Sequence, residues 1–247
     1  MIKLVNRDCY EVLKEVPDNS IDLIYTDPPY DVDIFKPGSG GSVNNVMKLD
    51  VTLQPINGIT QTDYDLELFC REALRVMKEP NIYIWCNKKQ IMRYMNFFVN
   101  EHECKFDILV WNKTNALPTY SNKYIDDCEY CLYFHKGKGK CFPKSYNDAK
   151  KVFVSPINRE NKLYNHPNIK PLDYVRSHIS NSSRPGDVIL DPFMGTGTSG
   201  LATKELGERT YIGVEINPDY YATANMRING VVENKQEGES NEKFDLW

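Results

Sequence analysis

The chain lacks most of what a secreted, membrane-spanning or metal-held protein requires. Residues 1–13 show no basic stretch followed by a long apolar one, so no signal peptide is expected. No apolar run is long enough to cross a bilayer, and a cytoplasmic location with no membrane contact is the expectation. The seven cysteines are an odd set without regular spacing, which gives no disulfide framework. Cys128, Cys131, His135 and Cys141 could be drawn as a zinc site. However, residues 129–134 read as a strand, and positions three apart on a strand point to opposite faces, so no metal is expected. No strand leads into a GxxxxGK[ST] pattern, which excludes a phosphate-binding P-loop. There is no internal repeat. An excess of positive charge is also missing, since the net charge is -4.

That net charge hides segregation. Acids gather after Val232, at Glu233, Glu237, Glu239, Glu242 and Asp245. Lys136, Lys138, Lys140, Lys144, Lys150 and Lys151 crowd a stretch with a single acid, Asp148. Such a run suits a solvated loop or phosphate contact. The 247 residues, 41% hydrophobic and 26% charged, are enough for one large α/β domain with its own core.

Apolar periodicity predicts helices over 9–16, 65–78, 89–100, 172–179, 199–206 and 218–228. Strands are predicted over 21–25, 82–86, 106–111, 129–134, 188–190 and 210–215. This alternation implies a mainly parallel sheet with helices on both faces, a Rossmann-like α/β fold. Residues 31–62, with Pro37-Gly38-Ser39-Gly40-Gly41, form a long loop expected to move without substrate. Residues 231–247 read as a flexible tail.

Two strand ends carry chemistry. Near the C-terminus, strand 188–190 runs into Asp191-Pro192-Phe193-Met194-Gly195-Thr196-Gly197-Thr198 and then a helix. Gly195 and Gly197 permit close backbone approach to a ligand, and Glu215, at the next strand end, is placed to bond a ribose diol. The third glycine of a GxGxxG arrives one place early, which weakens a pyrophosphate reading and suits a nucleoside without phosphates. Near the N-terminus, an apolar strand runs into Asp27-Pro28-Pro29-Tyr30. The amine of an aromatic base is a poor nucleophile because its lone pair enters the ring. A carboxylate at Asp27 and the carbonyl of Pro28 could each accept one N–H and localise that pair. Pro29 stiffens the turn, and Tyr30 could stack on a base removed from its duplex.

In this order, the blocks resemble the β class of DNA amino-methyltransferases, in which the catalytic DPPY block precedes the cofactor block. Asn6-Arg7-Asp8-Cys9 resembles the family lead-in. Trp111-Asn112-Lys113 and Glu129-Tyr130 with Phe134-His135-Lys136-Gly137 resemble its middle segments. His166-Pro167-Asn168-Ile169-Lys170-Pro171 resembles its HPxxKP block, and Gly213-Val214-Glu215-Ile216-Asn217 its acidic strand end.

The resemblance implies a seven-stranded, mostly parallel sheet with one antiparallel strand, and S-adenosylmethionine as cofactor. Asp8 and Cys9 would contact the adenine, Glu215 and Ile216 the ribose end. His166, Lys170 and Pro171 would close the methionine end, with Asp27, Asp191, Phe193, Gly195, Thr196, Gly197 and Thr198. Target recognition would lie within 114–165, where Lys136, Lys138, Lys140 and Lys144 would contact duplex DNA. The methylated atom would be N6 of adenine, with N4 of cytosine as the alternative. A cognate restriction enzyme and a homodimer stand open as partners. From other classes, an RNA or protein-amide methyltransferase, an NAD-binding oxidoreductase and a catalytically silent DNA-binding module also remain open.

Overall fold

The computed structural model describes residues 1–30, 64–118, 122, 124–137, 140–157, 164 and 169–230. The expected loop 31–62, the tail 231–247, Lys138 and His166 lie outside the described residues.

Eight strands form one sheet among the described residues: β1 (Ile2–Val5), β2 (Leu23–Thr26), β3 (Asn81–Cys86), β4 (Lys105–Lys113), β5 (Cys128–His135), β6 (Val152–Ser155), β7 (Val188–Asp191) and β8 (Thr210–Val214). Their order is β1-β8-β7-β2-β3-β5-β4-β6. All neighbours pair parallel except β5, which runs antiparallel to both β3 and β4. The sheet therefore has one strand more than the seven expected. The pattern reading passed over β1 and β6, the two edge strands of four residues each. An edge strand lacks one neighbour and need not bury both faces, so its apolar signal is weak; Val152 and Val154 are exposed.

Among the described residues six α-helices accompany the strands: α1 (Cys9–Glu15), α2 (Leu66–Val76), α3 (Lys88–Met95), α4 (Leu172–Ser182), α5 (Thr198–Leu206) and α6 (Pro218–Asn229). Their starts are written locally. Asp8, Asp65 and Asn217 each accept backbone N–H groups of the first turn, and Pro218 occupies that turn in α6. Asn87 and Gln90 form a capping box for α3. The helix expected over 89–100 does not continue as one: α3 ends at Met95 and a π-helical turn spans Asn96–Glu101. Both Phe97 and Phe98 are buried there, and Phe98 stacks on Phe134 at 4.6 Å.

Alternate side chains of each strand feed two cores. Ile24, Ile82, Ile84, Leu132 and Phe134 face α1, α2 and the π turn. Leu23, Tyr25, Tyr83, Trp85, Cys131 and Tyr133 face α4 and α5. Cys131 and Cys128, an odd number of residues apart on β5, accordingly point to opposite sides of the sheet.

Close packing leaves no room for a side chain at Gly200 in α5. A Cβ there would lie 2.5 Å from Ile228 Cδ1 and 2.8 Å from Tyr211 Cε1. Gly to Ala inside a helix ordinarily gains about 1 kcal/mol. Overpacking of a tight core costs about 1–3 kcal/mol, and the Tyr211 ring, fully buried, cannot retreat. Gly200→Ala is therefore expected to lower the melting temperature. An unchanged or higher value in thermal denaturation would contradict this packing.

Candidate functional site

The chain passes from β2 outward to β3 but from β7 to β8 on the other side, so the order reverses between β2 and β7. Ligands of open α/β sheets bind in the crevice at such a point, beyond the carboxyl ends of the strands. Here that crevice lies between Asp27, just past β2, and Asp191, the last residue of β7. Pairing of Leu23 with Ile189 and Ile24 with Leu190 brings the two motifs side by side. A cavity of about 70 Å³ between them is lined by Asp27, Trp85, Lys170, Asp191, Phe193 and Thr196, among others.

Against burial, Lys170 and the Tyr30 hydroxyl both act to hold the Asp27 carboxyl ionised. Its Oδ2 lies 2.6 Å from Lys170 Nζ. Its Oδ1 is buried and has no hydrogen-bond partner among the described residues. Lys170, 5% exposed, also meets Glu129 Oε2 at 3.1 Å and donates to the Tyr30 hydroxyl at 3.1 Å. Its ammonium is 5.0 Å from the Trp85 ring centroid and 5.5 Å from that of Tyr30. Glu129 is paired in turn with Lys113. Burial pushes the Asp27 carboxyl above its ordinary value, and Lys170 draws it back. Burial would lower the Lys170 ammonium, but the two carboxylates outweigh it and keep the group charged. The turn is fixed from below: Gln90 Nε2 donates to the Pro29 carbonyl at 2.9 Å, and Gln90 is fully buried.

The second loop is built for close approach. Gly195 and Gly197 have φ of 53° and 79°. A Cβ on Gly197 would sit 2.8 Å from Ile228 Cδ1. Asp191 closes the loop: Oδ1 accepts from Phe193 N at 3.1 Å and Oδ2 from the Ser199 hydroxyl. Arg227 Nη1 donates to the Thr196 carbonyl at 2.7 Å and to the hydroxyls of Thr196 and Thr198. Phe193 rests edge-on against Tyr64 and Phe69.

One strand further out, Glu215 accepts from Gly195 N at 2.9 Å and Asn217 N at 2.8 Å, and burial raises its carboxyl above the ordinary range. Asn6 Nδ2 donates to the carbonyls of Glu215 and Ile216, tying the end of β1 to that of β8. Asp8 caps α1 there, and Cys9 is buried behind it. Pro171 precedes α4 and accepts from Tyr174 N and Val175 N.

The structure thus brings together Asp8, Cys9, Asp27–Tyr30, Lys170, Pro171, Asp191–Thr198, Glu215 and Ile216, along the carboxyl ends of β1, β8, β7 and β2. It does not bring the described lysines of the cluster, Lys136, Lys140 and Lys144, there. Because β5 is antiparallel, its start, Glu129, faces the crevice, and its far end lies at the opposite edge. Lys136 N bonds to the Pro80 carbonyl at the beginning of β3, and its ammonium is taken by the His102 carbonyl and Glu103. Lys140 pairs with Glu79. Lys144 is exposed on the segment after it. Four contributors went unrecognised as site residues: Lys113, Glu129, Trp85 and Gln90. Asn87 and Gln90 carry the spacing of a capping box, a signal for a helix start but not for contact with Pro29.

A strand-end acid beside a glycine-rich loop, at the reversal point of a mostly parallel sheet, defines a nucleotide-cofactor site of a doubly wound α/β protein. Comparison with known proteins narrows the class. The family described as DNA methylase (N6_N4_Mtase) matches residues 21–226, and the chain belongs to it. The Type II methyltransferase M.HinfI of Haemophilus influenzae is 29% identical over 94% of this chain and 69% of its own length. The Type II methyltransferase M2.LlaDCHI of Lactococcus lactis subsp. cremoris is 30% identical over 92% and 88%. The crystal structure of the M1.HpyAVI–SAM complex aligns with a TM-score of 0.66 at 28% identity, covering 93% of this chain and all of that one. The PvuII cytosine-N4-specific DNA methyltransferase, 17% identical with a TM-score of 0.68, shares the fold.

Burial pushes the Asp191 carboxyl up to about 7, against the pull of Ser199 and Phe193 N–H. An unfolded aspartate titrates near 3.9, so between about pH 4 and 7 the folded chain holds a proton that the unfolded chain releases. Asp191 therefore makes stability fall as pH rises through that window. Melting temperatures measured from pH 4 to 8 should decline less steeply in Asp191→Asn than in the wild type. Parallel curves would contradict the assignment.

Proposed function

We propose that this chain transfers a methyl group from S-adenosylmethionine to the exocyclic amino group of a base flipped out of duplex DNA, and that the atom methylated is N6 of adenine. The observation that carries the reading is Asp27 Oδ1, a buried acceptor without a partner among the described residues, at a strand end beside a glycine loop. A buried polar atom left unsatisfied costs free energy unless a ligand completes it.

The residues fit the cofactor in the order of the strands. Asp8 and Cys9, just past β1, would take the adenine, and Glu215 and Ile216, just past β8, the ribose end. Residues 191–198 would take the methionine end, where Gly195 lines the cavity without a side chain and Gly197 lets the loop close against α6. His166, Lys170 and Pro171 would close that end. When bound, the cofactor supplies a methyl group on a positively charged sulfur, open to in-line attack. Likeness to the M1.HpyAVI–SAM complex supports this cofactor.

Asp27 Oδ1 accepts one N–H of the base amine and the Pro28 carbonyl accepts the other, which turns the nitrogen lone pair toward the methyl. Tyr30 stacks on the base and holds it out of the duplex. On methylation the nitrogen must shed a proton, and Asp27 Oδ1, already holding that N–H, is placed to receive it. Trp85 and Phe193 keep the wall apolar, which strengthens each of these hydrogen bonds. The choice of adenine follows from the resemblance of Asp27-Pro28-Pro29-Tyr30 to the adenine form of the motif. DNA would approach the face where β4 ends and β5 begins, so the part of 114–165 nearest the crevice, not the lysine cluster, carries recognition. The Type II relatives support a cognate restriction enzyme as partner.

Asp27→Asn replaces the acceptor at near-constant size. Methyl transfer to duplex DNA from labelled cofactor should fall about 10²–10³-fold, the cost of losing one preorganised polar contact to the reacting centre. Cofactor affinity, read by calorimetry, should change little. Turnover at the wild-type rate would overturn the role of Asp27. Base-resolved sequencing of DNA from cells expressing the wild type should show N6-methyladenine; N4-methylcytosine in its place would overturn the choice of base.

A further inference from the structure

The catalytic turn does not hold its own shape; a buried chain of alternating charge reaches it from β4 and β5. Lys113 pairs with Glu129, Glu129 with Lys170, and Lys170 with Asp27. Lys170, Lys113 and Glu129 are 5%, 16% and 12% exposed, so none is an ordinary surface ion. An ammonium has three N–H donors, and Lys170 has three oxygen acceptors around it: Asp27 Oδ2, Glu129 Oε2 and the Tyr30 hydroxyl. Two of these belong to the two ends of the Asp27–Tyr30 tetrapeptide.

We propose that Lys170 is a positioning residue that staples Asp27 to Tyr30, and that Glu129 and Lys113 act through it to keep Asp27 Oδ1 free for the substrate amine. This rests on the methyl-transfer reading above. Without Glu129, one N–H of Lys170 loses its acceptor inside an apolar wall. Asp27 Oδ1, buried and without a partner among the described residues, is an acceptor at hand. Lys170 would turn onto it, form a two-pronged contact with Asp27 and occupy the oxygen that the substrate needs. Glu129 thus draws Lys170 away from the reacting oxygen, and Lys113 balances the charge of Glu129. Trp85, beneath the ammonium, limits how far it can move.

The test is a double-mutant cycle on methyl transfer to DNA. Glu129→Ala should lower kcat by about 10²-fold, the cost of a small misplacement at the reacting centre, with much smaller changes in KM for DNA and in cofactor affinity. Glu129→Gln, which keeps a neutral acceptor for Lys170, should recover part of that loss. In an Asp27→Asn background the Glu129 substitutions should cost nothing further, because Glu129 acts through Asp27. A merely structural role would cost the same in both backgrounds, and that result overturns the proposal, as does wild-type kcat in Glu129→Ala. Should Glu129→Ala fail to fold by its melting curve, Glu129→Gln carries the same cycle, with a smaller loss that should likewise vanish in the Asp27→Asn background.

A readout independent of turnover keeps the relay separate from the functional reading. The Lys170 ammonium should give a slowly exchanging nitrogen-15 signal in the wild type, assigned by its loss in Lys170→Met and weakened in Glu129→Gln. No such signal would overturn the relay whatever the enzyme does. No methyl transfer to any DNA by the wild type, with the signal present, would overturn the functional reading instead.

Discussion

Two short stretches of backbone, Leu23–Ile24 and Ile189–Leu190, pair in parallel, and the working parts of the molecule hang on that pairing. It joins the N-terminal and C-terminal portions of the chain in the middle of the sheet and creates the reversal of strand order. Both strands are buried on both faces, one toward α1 and α2, the other toward α4 and α5. A slip of one residue would exchange every side chain between the two cores. The register that the cores enforce also sets Asp27 and Asp191 beside each other.

The crevice departs from the packing rules that the rest of the fold obeys. Three acids, Asp27, Asp191 and Glu215, stand at successive strand ends, and burial raises all three above the ordinary carboxyl range. Each is handled differently. Asp191 is occupied by Ser199 and Phe193 N–H and shapes a loop. Glu215 accepts two backbone N–H groups. Asp27 has a cation on one oxygen and, among the described residues, no hydrogen-bond partner on the other. Perturbed groups gathered in a cleft mark functional sites, and the division of labour follows from which lone pairs the protein has already filled.

Much of this was legible as text. Asp27-Pro28-Pro29-Tyr30 and the 191–198 loop announce themselves because prolines, glycines and strand-ending acids act locally. Their order along the chain, with the strands that precede them, was enough to expect a mostly parallel sheet. The edge strands β1 and β6 escaped because four half-covered residues make no periodic signal. The π turn at 96–101 escaped because its apolar spacing differs little from that of α3.

What stayed hidden depends on direction and distance. DNA contact is expected of the lysines after His135 because they fall between Trp111-Asn112-Lys113 and the His166–Pro171 block, where the resemblance puts target recognition. The antiparallel run of β5 carries Lys136 to the opposite edge of the sheet, beside Glu103, and leaves Glu129 at the crevice. No periodicity tells which way a strand runs, since the same alternation fits either direction. Lys113, Glu129 and Lys170 come from separate parts of the chain and meet only when β4, β5 and the approach to α4 are packed together. Residue types and local spacing specify which groups can do the chemistry. Which of them are desolvated, paired or left free is set by neighbours distant in the chain, because burial and Coulomb attraction are properties of space.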